Sequence, residues 1–304
     1  MLDILPQYAE DYQRLLDDYI GDRDFDWPQL PVYAWYFNER ERIRKKREDH
    51  ELPKPWTEDS IFANFRFTNV YRDDDRVSRA LVNSMDMDAP GEILLFNAFV
   101  FRTFNKLESW KASGGFRYDW PGKDMFKRLD SYVAAGGSVF GNAYLMTNSL
   151  TKGRPKHHFY IDIFDKVWEN SQEFYMRLQD DPRLEAATKM FTEIPGYADF
   201  LGYELALDME MVGLMPPPTD KFTWANPGPG ARRGLNFIRG RPRDFRQPVT
   251  KFLDEMRWLH DESILFLYEH IKEPFDMRCI ENGLCETSKY ASVLQTGRAK
   301  RRFR

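Results

Sequence analysis

The segment Asn64-Phe65-Arg66-Phe67-Thr68-Asn69-Val70-Tyr71-Arg72 sets two guanidinium groups among aromatic rings. In a helix, Arg66 and Asn69 share a face with Arg76 a little further on, embedded among Ile61, Phe62, Phe65, Phe67 and Val70. A guanidinium desolvated in such surroundings is costly unless it meets an anion or several acceptors. Two readings stay open on physics alone: an internal ion pair with Asp73, Asp74 or Asp75, and a ligand-binding role.

A second constellation is Pro227-Gly228-Pro229-Gly230-Ala231-Arg232-Arg233-Gly234. Glycines let backbone amides approach a ligand, and adjacent arginines can make bidentate contacts to phosphate oxygens. A phosphate cradle and an ordinary surface turn both fit. Neither GxxxxGK[ST] nor GxGxxG is present. Arg232, Arg233, Arg239, Arg241, Arg243 and Arg246 lie within 15 residues, and the last residues, GRAKRRFR, add five more cations. Such strips suit a bound polyanion, although a solvated tail has the same composition.

Ile194-Pro195-Gly196-Tyr197, followed by ADFLGYELALDMEM, has the layout of a helix-hairpin-helix phosphate contact, which any Pro-Gly turn between helices also has. Leu284-Cys285-Glu286-Thr287-Ser288-Lys289-Tyr290 gathers a thiol, a carboxylate, an amine and a phenol. A lone cysteine is more often a small buried hydrophobe than a nucleophile. His157, His158 and His260 lack the spacing of a metal site, so no metal ligands are expected.

These residues need a scaffold. The chain has 304 residues, a net charge of −4, 42% hydrophobic and 15% aromatic residues, which supplies a large core and excludes a globally basic coat and global disorder. Cys279 and Cys285 form no CxxC pair, so neither a disulfide framework nor a zinc finger is indicated and a reducing compartment fits. The acidic, amphipathic start is unlike a signal peptide, and the apolar run at 93–104 is too short for a bilayer and contains Arg102. A soluble intracellular protein with no membrane association is expected.

Apolar periodicity predicts helices over 1–24, 158–178, 184–191, 197–211 and 249–271. The stretch 92–105, apolar on nearly all sides, reads as a buried helix. A Pro-rich loop at 27–31 precedes an aromatic segment that becomes the charge run ERERIRKKRE. Thr57 is the expected N-cap of a helix continuing to Arg72, and one of Asp73, Asp74 and Asp75 that of the next. The fold class is mainly α.

In this order, NFRFTNVYRDDDR, IPGYADFLGYELALD, NPGPGARRGLN and LCETSKYASVLQTGRAKRR resemble the phage α-glutamyl/putrescinyl-thymine pyrophosphorylase family, also described as amino acid:DNA transferases, over about residues 33–304. The family is considered related to helix-hairpin-helix DNA glycosylases. The resemblance implies one compact unit of two interleaved helical lobes, about 30–150 with 245–290 and about 155–240, plus a basic tail at 291–304. It also implies a DNA strand with one base turned out of the stack. The implied activity is a late stage of thymine hypermodification: a kinase converts 5-hydroxymethyluracil in DNA to its pyrophosphoryl ester, and the transferase replaces pyrophosphate with an amino acid or polyamine.

On that resemblance, Arg232, Arg233 and the Gly228 and Gly230 amides stabilise the departing diphosphate, with Arg66 and Arg72 as a second clamp and Mg2+ a candidate helper. Asp220, 24 residues beyond Gly196, is the expected base for the attacking amine, with Glu286 in reserve and Cys285 a candidate for addition to C6 of the pyrimidine. Asn64, Asn69, Tyr71, Lys289 and Tyr290 are expected to hold base or amine, and Pro195, Gly196, Tyr197, Arg239, Arg241 and Arg243 to bind DNA. The expected partners are double-stranded phage DNA carrying the pyrophosphorylated base, the amine substrate and the 5-hydroxymethyluracil DNA kinase, in the cytoplasm of the infected host. The sequence departs from glycosylases in lacking a lysine at 197–200 and an iron–sulfur cysteine quartet. A glycosylase acting on a modified base, and a non-enzymatic DNA-binding partner of the kinase, are the alternatives.

Overall fold

The computed structural model describes residues 27–49, 52–120, 122–141, 151, 153–266 and 275–297, together with Arg14 and Asp17. Among them the secondary structure is mainly α, as expected: thirteen α-helices, one 3-10 turn and no strand. The helix expected over 1–24 and the last seven residues of the basic tail lie outside the described residues but for Arg14 and Asp17, which are helical. No described helix is long and apolar enough to cross a membrane.

The chain divides into two units, Met1–Arg72 with Phe222–Arg304, and Asp73–Lys221. The division differs from the expected lobes in grouping 73–221 as one unit.

In the first unit, α1 (Leu30–Glu48) buries Val32, Tyr33, Trp35, Tyr36 and Phe37, and its burial continues through Asn38, Glu39, Arg40 and Glu41. Later in the helix, Arg44 pairs with Glu41 and Glu48. After the short α2 (Ser60–Asn64) come α11 (Pro229–Ile238), α12 (Val249–Phe266) and α13 (Met277–Thr296). Helices α11 and α13 pack most closely, and glycine permits it. A Cβ at Gly234 would overlap the Leu284 carbonyl, and one at Gly230 the Cys285 sulfur.

The segment after Thr57 departs from expectation. Asp59, not Thr57, caps α2 by accepting the Phe62 amide at 2.7 Å, and the helix stops at Asn64. Phe65 is extended, at φ −123° and ψ 148°. Aromatic and β-branched residues dominate from Phe65 to Tyr71 and favour extended backbone. Phe65 and Asn69 are buried, whereas Arg66 and Thr68 are exposed. Arg66 is therefore not inside the aromatic cluster that a helical reading gives it.

The second unit is built around α4 (Gly91–Phe104), buried from Leu94 to Phe104 as its all-round apolarity predicts. The others are α3 (Arg76–Val82), α5 (Leu107–Ser113), α6 (Gly122–Ala134), α7 (Lys156–Glu169), α8 (Ser171–Asp180), α9 (Leu184–Thr192) and α10 (Asp199–Met211). Asp75 caps α3 through the Val77 and Ser78 amides, as expected of one of the three aspartates. The helix expected over 158–178 is two, divided at Asn170. Arg102 donates to Asp208 through Nε and Nη2, the latter at 2.6 Å, and to Asn105 Oδ1 at 2.8 Å through Nη1.

Candidate functional site

A chain segment that is neither helix nor sheet leaves its backbone groups to be satisfied by side chains. For residues 66–70 those side chains come from one face of α13 and from α1. Asn282, Glu286 and Lys289, spaced by four and three, align along α13. Glu286 Oε2 accepts the Thr68 amide at 3.0 Å, and Asn282 donates to the carbonyls of Asn69 and Val70 at 2.8 and 3.3 Å. The Thr68 hydroxyl donates to Asn282 Oδ1 at 3.0 Å. The Lys289 ammonium donates to the Arg66 carbonyl, pairs with Glu286 at 3.3 Å and lies 4.6 Å from the centre of the Phe67 ring.

From α1, Arg40 donates through Nε to the Thr68 carbonyl at 2.8 Å and through Nη2 to Asn69 Oδ1. Its residue is 4% exposed, and Nη1 is buried without a hydrogen-bond partner. Burial pulls the guanidinium below its ordinary pKa, with the Tyr36 and Glu286 charges opposing that shift. The Tyr36 hydroxyl is likewise buried without a partner, and burial, reinforced by Glu286, holds it well above the ordinary tyrosine value. A desolvated guanidinium with an unused N–H, beside an ammonium and a carboxylate, can hold an anion or the carbonyl edge of a base. Sequence reasoning missed Arg40 because it opens on a charge run that looks solvated. The available signal was the Trp35-Tyr36-Phe37 run, which carries a buried face one turn on to residues 38–41.

The other expected residues have varied surroundings. Asn69, Glu286 and Lys289 meet in this cluster. Tyr290 donates to Asp59 Oδ2 at 2.9 Å, and burial, then the Asp59 charge, raises its pKa well above the ordinary value. Asn64 turns back to the Ser60 carbonyl, Tyr71 is buried with its ring near that of Phe275, and Arg72 opens the 3-10 turn Arg72–Asp74. Cys285 is half-buried.

The sequence Pro227–Gly234 is not a glycine loop. Pro229–Ile238 is helix, with Gly228 at its N-cap, and Gly230 and Gly234 let α11 approach α13. Arg232 donates to the Pro227 carbonyl at 2.6 Å and stacks over Phe252, whereas Arg233 pairs with Asp244 at 3.1 Å. Adjacent positions on a helix diverge by about 100°, so the two arginines do not form a paired clamp. Arg241 binds Glu255 in a bidentate fashion, and Arg239 lies over Trp27 with Nε 3.7 Å from Glu255. Arg243 is exposed.

In the second unit, Asp220 accepts the Leu184 and Glu185 amides at 2.8 and 3.0 Å and so caps α9. Gly196 supplies φ +89° in the turn before α10, and Pro195 is exposed. Tyr197 faces inward: it is 3% exposed and shares a hydrogen bond with the Thr103 hydroxyl. Its side chain is therefore unavailable to DNA. His157 and His158, read as isolated, converge on Asp130.

Over residues 28–298 the chain matches the family described as 5-hmdU DNA kinase, helical domain. The chain belongs to that family. A curated relative, the 5-hmdU DNA kinase of Bacillus phage SP10, is 27% identical over 339 residues, covering 97% of this chain and 50% of the relative. The chain thus spans about half the length of the curated relative it matches. No solved structure matches it. The family is named for a kinase domain, which corrects the transferase family that the motifs resemble.

Proposed function

We propose that this family member acts in phage DNA modification at 5-hmdU, and that the Arg40–Glu286–Lys289 cluster handles the substituent on the pyrimidine methylene. The finer reading is amine transfer: an amine displaces the pyrophosphate of a pyrophosphorylated 5-hydroxymethyluracil. The observation that carries it is Arg40, a buried guanidinium that holds the Thr68 carbonyl and keeps an uncommitted N–H, while Glu286, paired with Lys289, holds the Thr68 amide.

The chemistry asks for these groups. As the methylene C–O bond breaks, its electron pair leaves with diphosphate, and cations already aimed at that oxygen lower the barrier. Arg40 fills this role through its uncommitted N–H, Lys289 joins it on leaving Glu286, and exposed Arg66 is a further cation. The incoming nitrogen uses its lone pair on carbon and must shed a proton, which Glu286 accepts once Lys289 turns to the diphosphate. Residues 66–70 are held to their neighbours by side chains rather than by a backbone ladder, so a base is admitted there by re-orienting side chains rather than by parting strands. Asp220, occupied as a helix cap, is left out of this scheme.

A second reading follows from the family: the chain holds DNA for a separate kinase active site in the host cytoplasm. Its 304 residues contain no GxxxxGK[ST], and the family is named for the helical part of a kinase.

One experiment separates them. DNA containing 5-hydroxymethyluracil is pyrophosphorylated with a 5-hmdU DNA kinase and ATP, then given the full chain and a panel of amino acids and polyamines. Amine transfer predicts pyrophosphate release only when an amine is present, an amine adduct by mass spectrometry of the nucleosides, and loss of both in Arg40→Met. No release with any amine, together with faster kinase turnover when the chain is added, selects the kinase-partner reading. Abasic sites select a glycosylase.

A further inference from the structure

In the second unit, Asp130 on α6 faces the first turn of α7. His157 Nε2 lies 2.7 Å and His158 Nε2 2.8 Å from the same carboxylate oxygen, Asp130 Oδ1. The three ligand atoms all lie within 4.8 Å of one another, the one such group of three or more His, Cys, Asp or Glu among the described residues. The rings are held in place. The two imidazoles stand perpendicular with centroids 4.5 Å apart, and Phe126 packs edge-on against His158 at 4.7 Å. His157 is 6% exposed, so its ring is fixed by the core.

From this arrangement the geometry points to a binding site for a divalent first-row transition metal of the zinc type, held by His157 Nε2, His158 Nε2 and an Asp130 carboxylate oxygen. Two imidazole nitrogens and one carboxylate suit Zn2+, Co2+ or Ni2+, whereas Mg2+ and Ca2+ favour all-oxygen shells. Metal–ligand bonds of about 2.0–2.2 Å require the donors to stand further apart than two hydrogen bonds to one oxygen allow. Asp130 can provide that change, because its side chain is 51% exposed and can swing outward while the buried His157 stays fixed. Three protein ligands leave a fourth position for water or a phosphate oxygen. The cation would also tie α6 to α7, two helices that already pack together.

The test uses tag-free full-length protein stripped with a chelator and titrated with Zn2+ by calorimetry. Co2+ serves as a spectroscopic probe, because its visible absorption reports nitrogen and oxygen ligation. The expected result is one equivalent of Zn2+ bound, a visible band with Co2+, and at least a tenfold weaker affinity in both Asp130→Asn and His158→Gln. Both substitutions fall at solvent-accessible side chains, and thermal melts without metal establish that the variants are folded. Wild-type protein that takes up no Zn2+ overturns the proposal, as does equal uptake by folded variants. An increase in melting temperature with Zn2+ in the wild type alone would confirm that the metal joins the two helices in the native state.

Discussion

Arg102 and Arg40 are both buried, one in each unit, and are treated differently. Arg102, 2% exposed in the second unit, spends its N–H groups on Asp208 and Asn105, so its charge is matched within the core. Arg40, 4% exposed in the first, meets a carbonyl and an amide oxygen but no carboxylate by hydrogen bond, and one of its nitrogens is left over. Burying a guanidinium costs several kcal/mol unless it is paired. The closed pair is explained by folding alone. An arginine left partly unsatisfied is explained by something that completes it, which is why Arg40 rather than the more numerous surface arginines anchors the functional reading.

The sharpest way to break this contrast is to remove one half of the closed pair. Asp208→Ala is expected to lower unfolding free energy by about 3–5 kcal/mol by denaturant titration. Replacing both partners, Arg102→Met with Asp208→Leu, is expected to restore much of that loss. Were Asp208→Ala to cost no more than Arg40→Met, the distinction between closed and open arginines would fail.

Arg40→Met should separate activity from stability. It strips hydrogen bonds from two oxygens but also removes an incompletely paired charge, so stability should fall by only about 1–2 kcal/mol. Amine-dependent pyrophosphate release should fall about 100-fold, equivalent to about 2.7 kcal/mol. A variant with full activity would return Arg40 to the same class as Arg102.

The glycines of α11 give a smaller test. Gly234→Ala should destabilise by about 1–3 kcal/mol through overlap with the Leu284 carbonyl. At Gly228 the nearest atom to an added Cβ is Glu281 Oε1 at 3.5 Å, so Gly228→Ala should cost little. The reverse order, with Gly228→Ala selectively abolishing DNA-linked activity, would favour a phosphate cradle over helix packing.

The smallest effect concerns pH. Burial pushes the Cys279 thiol well above its ordinary pKa, with the Asp276 charge adding to the shift. A raised native pKa contributes stability that is fully present below the unfolded value, about 8.5, and is lost as pH rises beyond it. Unfolding free energy from urea titration should therefore decline above about pH 8.5, by up to about 1.4 kcal/mol per pH unit from this group. Cys279→Ala should flatten that decline, and half-buried Cys285 should react with a thiol reagent first.

Much of the fold was legible because it is written locally. The apolar run of α4 has no polar face to show solvent, and Asp75 stands immediately before the helix it caps. The candidate site was half legible. Glu286 and Lys289 were visible as a chemical grouping but not as one face of a helix, and helical spacing was extended too far along residues 65–72. There, aromatic and β-branched side chains alternate into a core that only neighbouring helices create. Arg40 was hidden because a charge run gives no sign of which of its members will be covered.

The amino-acid sequence by itself determined that the chain is helical, where several of its helices lie, among them α4, α9, α10 and α12, and which residue types are present for phosphate and amine chemistry. Those properties depend on side chains within a few residues of one another. Only the tertiary structure decided that Arg40 is buried, that Glu286 grips the Thr68 amide 218 positions away, and that Asp130 meets His157 and His158. Such meetings depend on which helix faces the core takes up, and packing settles that collectively.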